Sequence, residues 1–308
     1  MKRNPSGNSY VYGMTQASAE AATAPKNPFA ANTSHALRGD YEHMRADYTV
    51  EQPYERYTEA EQARWRILYD RQKKLLPGYA AQEYIDGLEA LNAGDAIPRL
   101  EDANKVLGEA TGWQLIAVPG LIPDGVFFDH LANRRFPVAW WMREEHELDY
   151  LVEPDIFHDF FGHVPLLSNP VFASYMEKYG KGGPKAMEYG AQHMLARLYW
   201  YIVEFGLINT EDGLRAFGAG MLSSKDETIY SVESPKPNRV AFDLERVLNT
   251  AYMVDDFQKT YFVIDSFEQL FEICDCDFTP FYERGAGKDP INPEKLLPTD
   301  KVITRGQW

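Results

Sequence analysis

Apolar residues through the middle of the chain recur mostly at helical spacing. Thr58 and Glu61 form a capping box ahead of Trp65, Leu68, Tyr69 and Leu75 on one face, and Pro77-Gly78 marks the stop. Tyr84, Ile85, Leu88 and Leu91 continue the period, and Leu100, Ala103, Leu107 and Ala110 give a third helix ending near Gly112. Trp113 to Val118 reads as a short strand before the Pro119-Gly120 turn. Asp124 then caps a short helix carrying Phe127, Phe128 and Leu131, and Phe136 to Arg143 reads as a second strand. Asn169-Pro170 opens another helix, with Phe172, Tyr175, Met176 and Tyr179 inward and Gly180 at its end. After a Gly182-Gly183-Pro184 loop, the longest helix carries Met187, Ala191, Met194, Leu195, Leu198 and Ile202 on one stripe, and its last two turns are apolar all round. Asp243 opens a later helix, Thr260 to Ile264 forms a strand, and Ser266 with Gln269 opens a final helix. The pattern predicts a mainly α fold with a few short strands (α+β).

Residues 46–283 hold these periodic segments and define one domain large enough to bury a sizeable core. Residues 1–45 are rich in Ala, Ser, Asn, Thr, Gly and Pro without sustained periodicity and read as a mobile tail. Residues 284–308, with few apolar anchors, read as a C-terminal extension. The formal net charge of −15 argues against a nucleic-acid backbone or an anionic membrane as partner. No apolar run reaches membrane-spanning length, and the start lacks the apolar core of a signal peptide. Cys274 and Cys276, the only cysteines, are too close to staple a fold, which fits a reducing cytoplasm.

The chemistry concentrates in two places. Glu153-Pro154-Asp155-Ile156-Phe157-His158-Asp159-Phe160-Phe161-Gly162-His163-Val164-Pro165 holds two histidines, and Glu204 follows forty-one residues after the second. Glu204 lies among Trp, Tyr, Ile, Val and Phe, where an unpartnered carboxylate would cost several kcal/mol to desolvate. No Lys or Arg lies within four residues on its C-terminal side, so a divalent metal is the simplest partner. Two imidazoles and one carboxylate, leaving coordination positions open, are the pattern of non-haem Fe(II) oxygenases. Five residues apart on an ideal α-helix, the histidines would point about 140° apart. The helix is therefore expected to end between them, at Gly162 and Val164-Pro165.

Other readings compete with this one. A zinc peptidase would want His-Glu-x-x-His, whereas here Asp159 follows the first histidine and the second comes one position late. A 2-oxoglutarate dioxygenase would usually show His-x-Asp on a β-sandwich. A structural metal clamp would want a fourth protein ligand. Gly218-Ala219-Gly220 has no βαβ setting and reads as a tight turn near a pocket, so no nicotinamide or flavin fold is visible. Reducing equivalents for a hydroxylation would come from a small diffusible reductant or from the substrate.

Three segments in order resemble the tetrahydrobiopterin-dependent aromatic amino acid hydroxylases, nearest to the bacterial single-domain members. They are Glu-Pro-Asp-Ile-Phe-His-Asp-Phe-Phe-Gly-His-Val-Pro-Leu, Leu-Tyr-Trp-Tyr-Ile-Val-Glu-Phe-Gly-Leu and Phe-Gly-Ala-Gly-Met-Leu-Ser-Ser, and the likeness runs from about Tyr54 to Tyr282. The resemblance implies a basket of helices and loops around an Fe(II) cleft, a reduced tetrahydropterin as co-substrate, O2, and conversion of L-phenylalanine to L-tyrosine. Tryptophan or tyrosine remains open as an alternative substrate. It implies His158, His163 and Glu204 as iron ligands and catalytic centre, with Tyr199 beside them. It implies Arg143 as the grip on the substrate carboxylate, Pro154 and Trp200 (with His158) as walls of the ring pocket, and Ser223 at the amino-acid end. Read without the family, Arg143 would be a surface partner of Glu144 or Glu147. Phe127 is implied to stack on the pterin, with Gly120, Leu121 and Ile122 lining that site and Asp159 nearby, where animal members carry glutamate. Leu151 stands where animal members have a threonine in the substrate site. Without a regulatory domain or a heptad run for tetramerisation, the resemblance implies a monomer.

Overall fold

The computed structural model describes residues 38–254 and 256–307. The expectation of a mobile tail over residues 1–37 lies outside the described residues. Within residues 38–45, assigned to that tail, two side chains are tied to the domain. Arg38 pairs with Glu147, and Tyr41 is buried with its hydroxyl donating to the Leu121 carbonyl at 3.0 Å.

Three helices open the domain: α1 (Glu59–Leu75), α2 (Gln82–Leu91) and α3 (Leu100–Ala110). The Thr58–Glu61 capping box forms in both directions, at 3.3 Å and 2.8 Å, satisfying two backbone donors that a helix start leaves open. Then β1 (Gln114–Val118), α4 (Asp124–Ala132) and β2 (Arg135–Ala139) make a small parallel pair with a helical crossover. Asp124 is the first helical residue rather than the cap, which is Pro123. A π-helical segment, Phe157–His163, runs directly into α5 (Val164–Leu167).

Helix α6 (Pro170–Glu188) is the longest, and it differs from the sequence expectation. It passes through Gly180 and the Gly182-Gly183-Pro184 segment instead of stopping. The glycines serve packing: a Cβ on Gly183 would sit 2.1 Å from Phe128 Cγ, and one on Gly180 would sit 2.3 Å from the Ala132 nitrogen, both on α4. The break falls instead at Gly190, whose φ of +62° suits glycine. The next helix is accordingly short, α7 (Gln192–Leu198), and Met187 is an exposed residue of α6. A second π-helical segment, Tyr199–Glu204, completes it.

The remainder is β3 (Leu207–Thr210), β4 (Gly213–Ala216), α8 (Ala219–Leu222), α9 (Lys225–Glu233), β5 (Asn238–Ala241), α10 (Leu244–Leu248), β6 (Thr260–Ile264), α11 (Phe267–Cys274), α12 (Thr279–Gly285) and β7 (Val302–Thr304). Asp243 caps α10 as expected, while α11 is followed by one more helix. Five strands form one mixed sheet in the order β4-β3-β6-β5-β7. The segment expected to be a C-terminal extension joins this body. Strand β7 pairs with β5, and Asp300 meets the buried Arg246 at 3.0 Å. A boundary at residue 283 would cut α12. Helices dominate throughout, and no helix among the described residues is long and apolar enough to cross a membrane.

Candidate active site

The two π-helical segments answer the spacing problem posed by the histidines. The helix does not end between His158 and His163; its hydrogen bonding widens to i→i+5, so residues five apart return to one face. The same widening is explicit at the other segment, where the Phe205 nitrogen donates to the Trp200 carbonyl at 2.9 Å. Tertiary contacts hold the first π-helical segment in place. Phe157 and Phe160 meet Trp65 of α1 edge-on at 5.4 and 5.9 Å, Tyr69 meets Phe161 at 5.4 Å, and the Tyr84 hydroxyl donates to the Phe161 carbonyl.

His158, His163 and Glu204 converge. The two Nε2 atoms are 3.3 Å apart, and the Glu204 oxygens lie 3.2 Å from His163 and 3.6 Å from His158. One ligand atom from each lies within 4.8 Å of the others. Ser223 Oγ lies 3.0 Å from His158 Nδ1, so a tautomer with Nδ1–H donating to serine leaves the Nε2 lone pair facing the centre. Burial pushes His158 down to about 4, so this imidazole is neutral and able to ligate. Burial opposes ionisation of Glu204, yet the nearby imidazoles and the Gly220 amide together hold its carboxyl below the ordinary range. Two imidazole nitrogens 3.3 Å apart beside a buried carboxylate fit a divalent cation better than a hydrogen bond between the rings. The donor set suits Fe(II).

The glycines of Gly218-Ala219-Gly220 make room for the backbone and the side chain of Glu204. A Cβ on Gly218 would fall 2.3 Å from the Glu204 carbonyl oxygen, and one on Gly220 would fall 3.1 Å from Glu204 Oε2. His163 lies between Phe136, at 5.0 Å, and Tyr199, at 6.1 Å between ring centroids. Phe127 is fully buried and meets Tyr199 edge-on at 5.5 Å. Asp159, also buried, accepts from the Ala139 amide at 2.7 Å, tying the ligand segment to the end of β2. Gly120 has a φ of +154°, and a Cβ there would lie 2.8 Å from Glu153 Oε1; Ile122 is buried and Leu121 partly so.

Arg143 corrects the surface-pair reading. Its Nε and Nη2 form a buried fork with Asp155 at 2.9 and 2.8 Å, while Glu147 is taken by Arg38. Burial opposes ionisation of Asp155, but Arg143 outweighs it and holds the carboxyl below its ordinary range. Asp155 Oδ1 also accepts from the His158 amide at 3.0 Å, so one carboxylate links the arginine to a metal-site histidine. Sequence reasoning quoted Asp155 without giving it a role. Its place in the Glu-Pro-Asp motif, three residues before His158, was the available signal. Trp200 is partly exposed and stacks on Tyr252 at 4.4 Å, a neighbour the sequence did not suggest. Pro154 and Leu151 are both partly exposed, in the stretch leading into the ligand segment.

A helix-rich basket closed by two π-helical segments, each contributing to a two-histidine, one-carboxylate centre, defines a mononuclear non-haem iron class of protein. The family profile described as biopterin-dependent aromatic amino acid hydroxylase matches residues 16–275, and the chain belongs to that family. It is 58% identical over 265 residues to the phenylalanine-4-hydroxylase of Chromobacterium violaceum, covering 86% of this chain and 89% of the relative. A phenylalanine-4-hydroxylase of Ralstonia nicotianae is 56% identical over 268 residues, covering 87% and 86%. The iron- and phenylalanine-bound crystal structure of the C. violaceum enzyme superposes with a TM-score of 0.81 at 57% identity, covering 85% of this chain and 96% of that one. The cobalt-bound structure of the same enzyme gives 0.82 at 56% identity, covering 89% and 96%.

Proposed function

We propose that the protein is a phenylalanine 4-monooxygenase, hydroxylating L-phenylalanine to L-tyrosine with O2 and a reduced pterin. The observation that carries the reading is the convergence of His158 Nε2, His163 Nε2 and a Glu204 oxygen within 4.8 Å, in a chain of this family. Bound Fe(II) and a reduced tetrahydropterin supply oxygen activation and the transfer of one oxygen atom to the ring. The chain's own residues bind, orient and keep water out.

His158, His163 and Glu204 would hold the metal, and three protein ligands would not fill its coordination sphere. Ser223 fixes the His158 tautomer from behind, so its role extends beyond the amino-acid end of the pocket. Arg143 spends Nε and Nη2 on Asp155 and offers Nη1 to the amino-acid carboxylate. Because the guanidinium is already oriented by Asp155, little rotamer freedom remains to be lost when substrate binds. Trp200, Pro154 and His158 wall the aromatic ring. Gly120, Leu121, Ile122, Phe127 and Asp159 frame the pterin side, and Tyr199 packs between Phe127 and His163. The protein acts in the cytoplasm, a reading that two free thiols support, and as a monomer, which the self-repulsion of a net charge of −15 favours.

Iron analysis together with turnover assays on phenylalanine, tryptophan and tyrosine, with and without reduced tetrahydropterin, tests this function. Tyrosine formation from phenylalanine that requires both iron and the pterin is the expected result. Pterin-independent turnover, or preference for tryptophan, would overturn it.

A further inference from the structure

Between α10 and β6, residues 251–254 and 256–259 carry no regular secondary structure. The start of this loop is fixed where the Ala251 nitrogen donates to the Ile291 carbonyl at 2.9 Å, and one side chain ties the residues that follow together. Gln258 is 2% exposed, and its amide faces back along the loop. Oε1 accepts from the Met253 nitrogen at 3.1 Å, and Nε2 donates to the Met253 carbonyl at 2.7 Å. Both backbone groups of residue 253 are thus satisfied by one side chain five positions on. The clip is itself anchored. The Gln258 nitrogen donates to Glu227 Oε1 of α9 at 3.3 Å, and the Tyr261 hydroxyl of β6 donates to the same oxygen. At the other end the Tyr201 hydroxyl donates to the Ala251 carbonyl. Tyr252 lies between these fixings, its ring stacked on Trp200 at 4.4 Å and 18°.

We propose that Gln258 is a positioning residue for the amino-acid pocket, clipping the loop so that Tyr252 stays flat on Trp200. The inference rests on the reading of Trp200 as a wall of that pocket. Tyr201, which holds one end of the loop, and Trp200 both belong to the π-helical segment that carries Glu204. Glu227, which holds the other, is four residues from Ser223. The loop is therefore registered against the metal centre from two directions. Without the clip it would visit shapes in which Tyr252 leaves Trp200. Apparent affinity for an aromatic amino acid then falls by the fraction of time the competent shape is lost. A saturating concentration of substrate restores that shape, so kcat is spared.

The test uses the iron-loaded full chain and Gln258→Met, which keeps the length and volume but removes both amide bonds. The expected result is a KM for phenylalanine raised about five- to tenfold, with kcat, pterin KM and iron content within about twofold. Tyr252→Ala should raise the same KM, and Gln258→Met added to it should raise it no further, since both act through one contact. A merely structural role would lower melting temperature and kcat at an unchanged KM, and that outcome overturns the proposal. So would fully additive effects in the double variant. If Gln258→Met fails to fold, Gln258→Asn, one methylene too short to reach both groups, is read in the same way. Trp200→Leu distinguishes the two levels. An unchanged KM there sinks the pocket reading, whereas a raised KM there with a normal Gln258→Met sinks this inference alone.

Discussion

Replacing Arg143 with lysine separates two roles that the structure gives to one side chain. The guanidinium makes a two-pronged contact with Asp155, at 2.9 and 2.8 Å, with both side chains almost wholly buried. A lysine ammonium is a point charge and keeps at most one of these bonds. The loss of one charge-assisted bond is about 1.5–3 kcal/mol, which for a domain of this size lowers the melting temperature by about 3–6 °C. Kinetics should respond as well. The lysine has to choose between Asp155 and the substrate carboxylate, so the phenylalanine KM should rise about ten- to a hundredfold. Iron content should fall too, because Asp155 Oδ1 also holds the His158 amide, and a displaced Asp155 should loosen the metal. Steady-state kinetics, thermal melts and iron analysis on the single variant give all three numbers. A lowered melting temperature with a normal KM would confine Arg143 to a structural role, and a normal value of both would refute the reasoning from the buried fork.

His158→Ala, His163→Ala and Glu204→Gln should each abolish coupled hydroxylation, and the two alanine variants should lose most bound iron; full turnover at normal iron loading by any of them contradicts the assignment. Ser223→Ala, which removes the partner of His158 Nδ1, should weaken iron binding about ten- to a hundredfold in a chelator titration while leaving the fold intact. Gly218→Ala places a Cβ 2.3 Å from the Glu204 carbonyl oxygen, so destabilisation of about 1–3 kcal/mol in a denaturant melt should accompany loss of iron. Stability should also depend on pH through Glu227. Burial pushes its carboxyl from 4.5 up to about 7 against the bonds from Tyr261 and the Gln258 amide, with Asp256 raising it further and Lys259 lowering it. Its contribution is full below pH 4.5 and lost as pH rises through 7, by about 3 kcal/mol at most. Glu227→Gln should therefore flatten the stability curve between those limits, and an unchanged slope would exclude Glu227 as its source.

Local signals carried much of the fold into the sequence. The Thr58 capping box, the Asp243 cap and the period of α1 to α3 depend on residues within a turn or two of one another, and all formed as the pattern implies. Failures came where a distant element decides. Gly180 and Gly183 look like a helix end until α4 is laid against them, and only then does their missing Cβ become the condition for contact. Residues 291–304 look unanchored because their partners, Thr250, Arg246 and strand β5, lie more than forty residues earlier in the chain. At the site, the three ligand residues were legible because a buried acid and two histidines need an explanation wherever they sit. Asp155 and Tyr252 were not, since a carboxylate beside a motif and a tyrosine in a loop have many ordinary uses.

The histidine spacing shows why one correction matters chemically. A helix that ended after His158 would place the second ligand on a separate loop, free to move relative to the first. A continuous π-helical turn instead fixes His158 and His163 on one face of one element, and α5 continues from it without a break. The wider i→i+5 turn is rarely stable alone, so it has to be held by its surroundings. Here Trp65, Tyr69 and Tyr84 do so from two helices, the last by donating to a carbonyl of the turn itself. Glu204 arrives at the end of a second such turn, packed so closely that glycine is required opposite it. All three ligand directions are thereby set by buried packing before any metal binds. A centre built this way would take up a metal with little rearrangement of the three side chains that hold it.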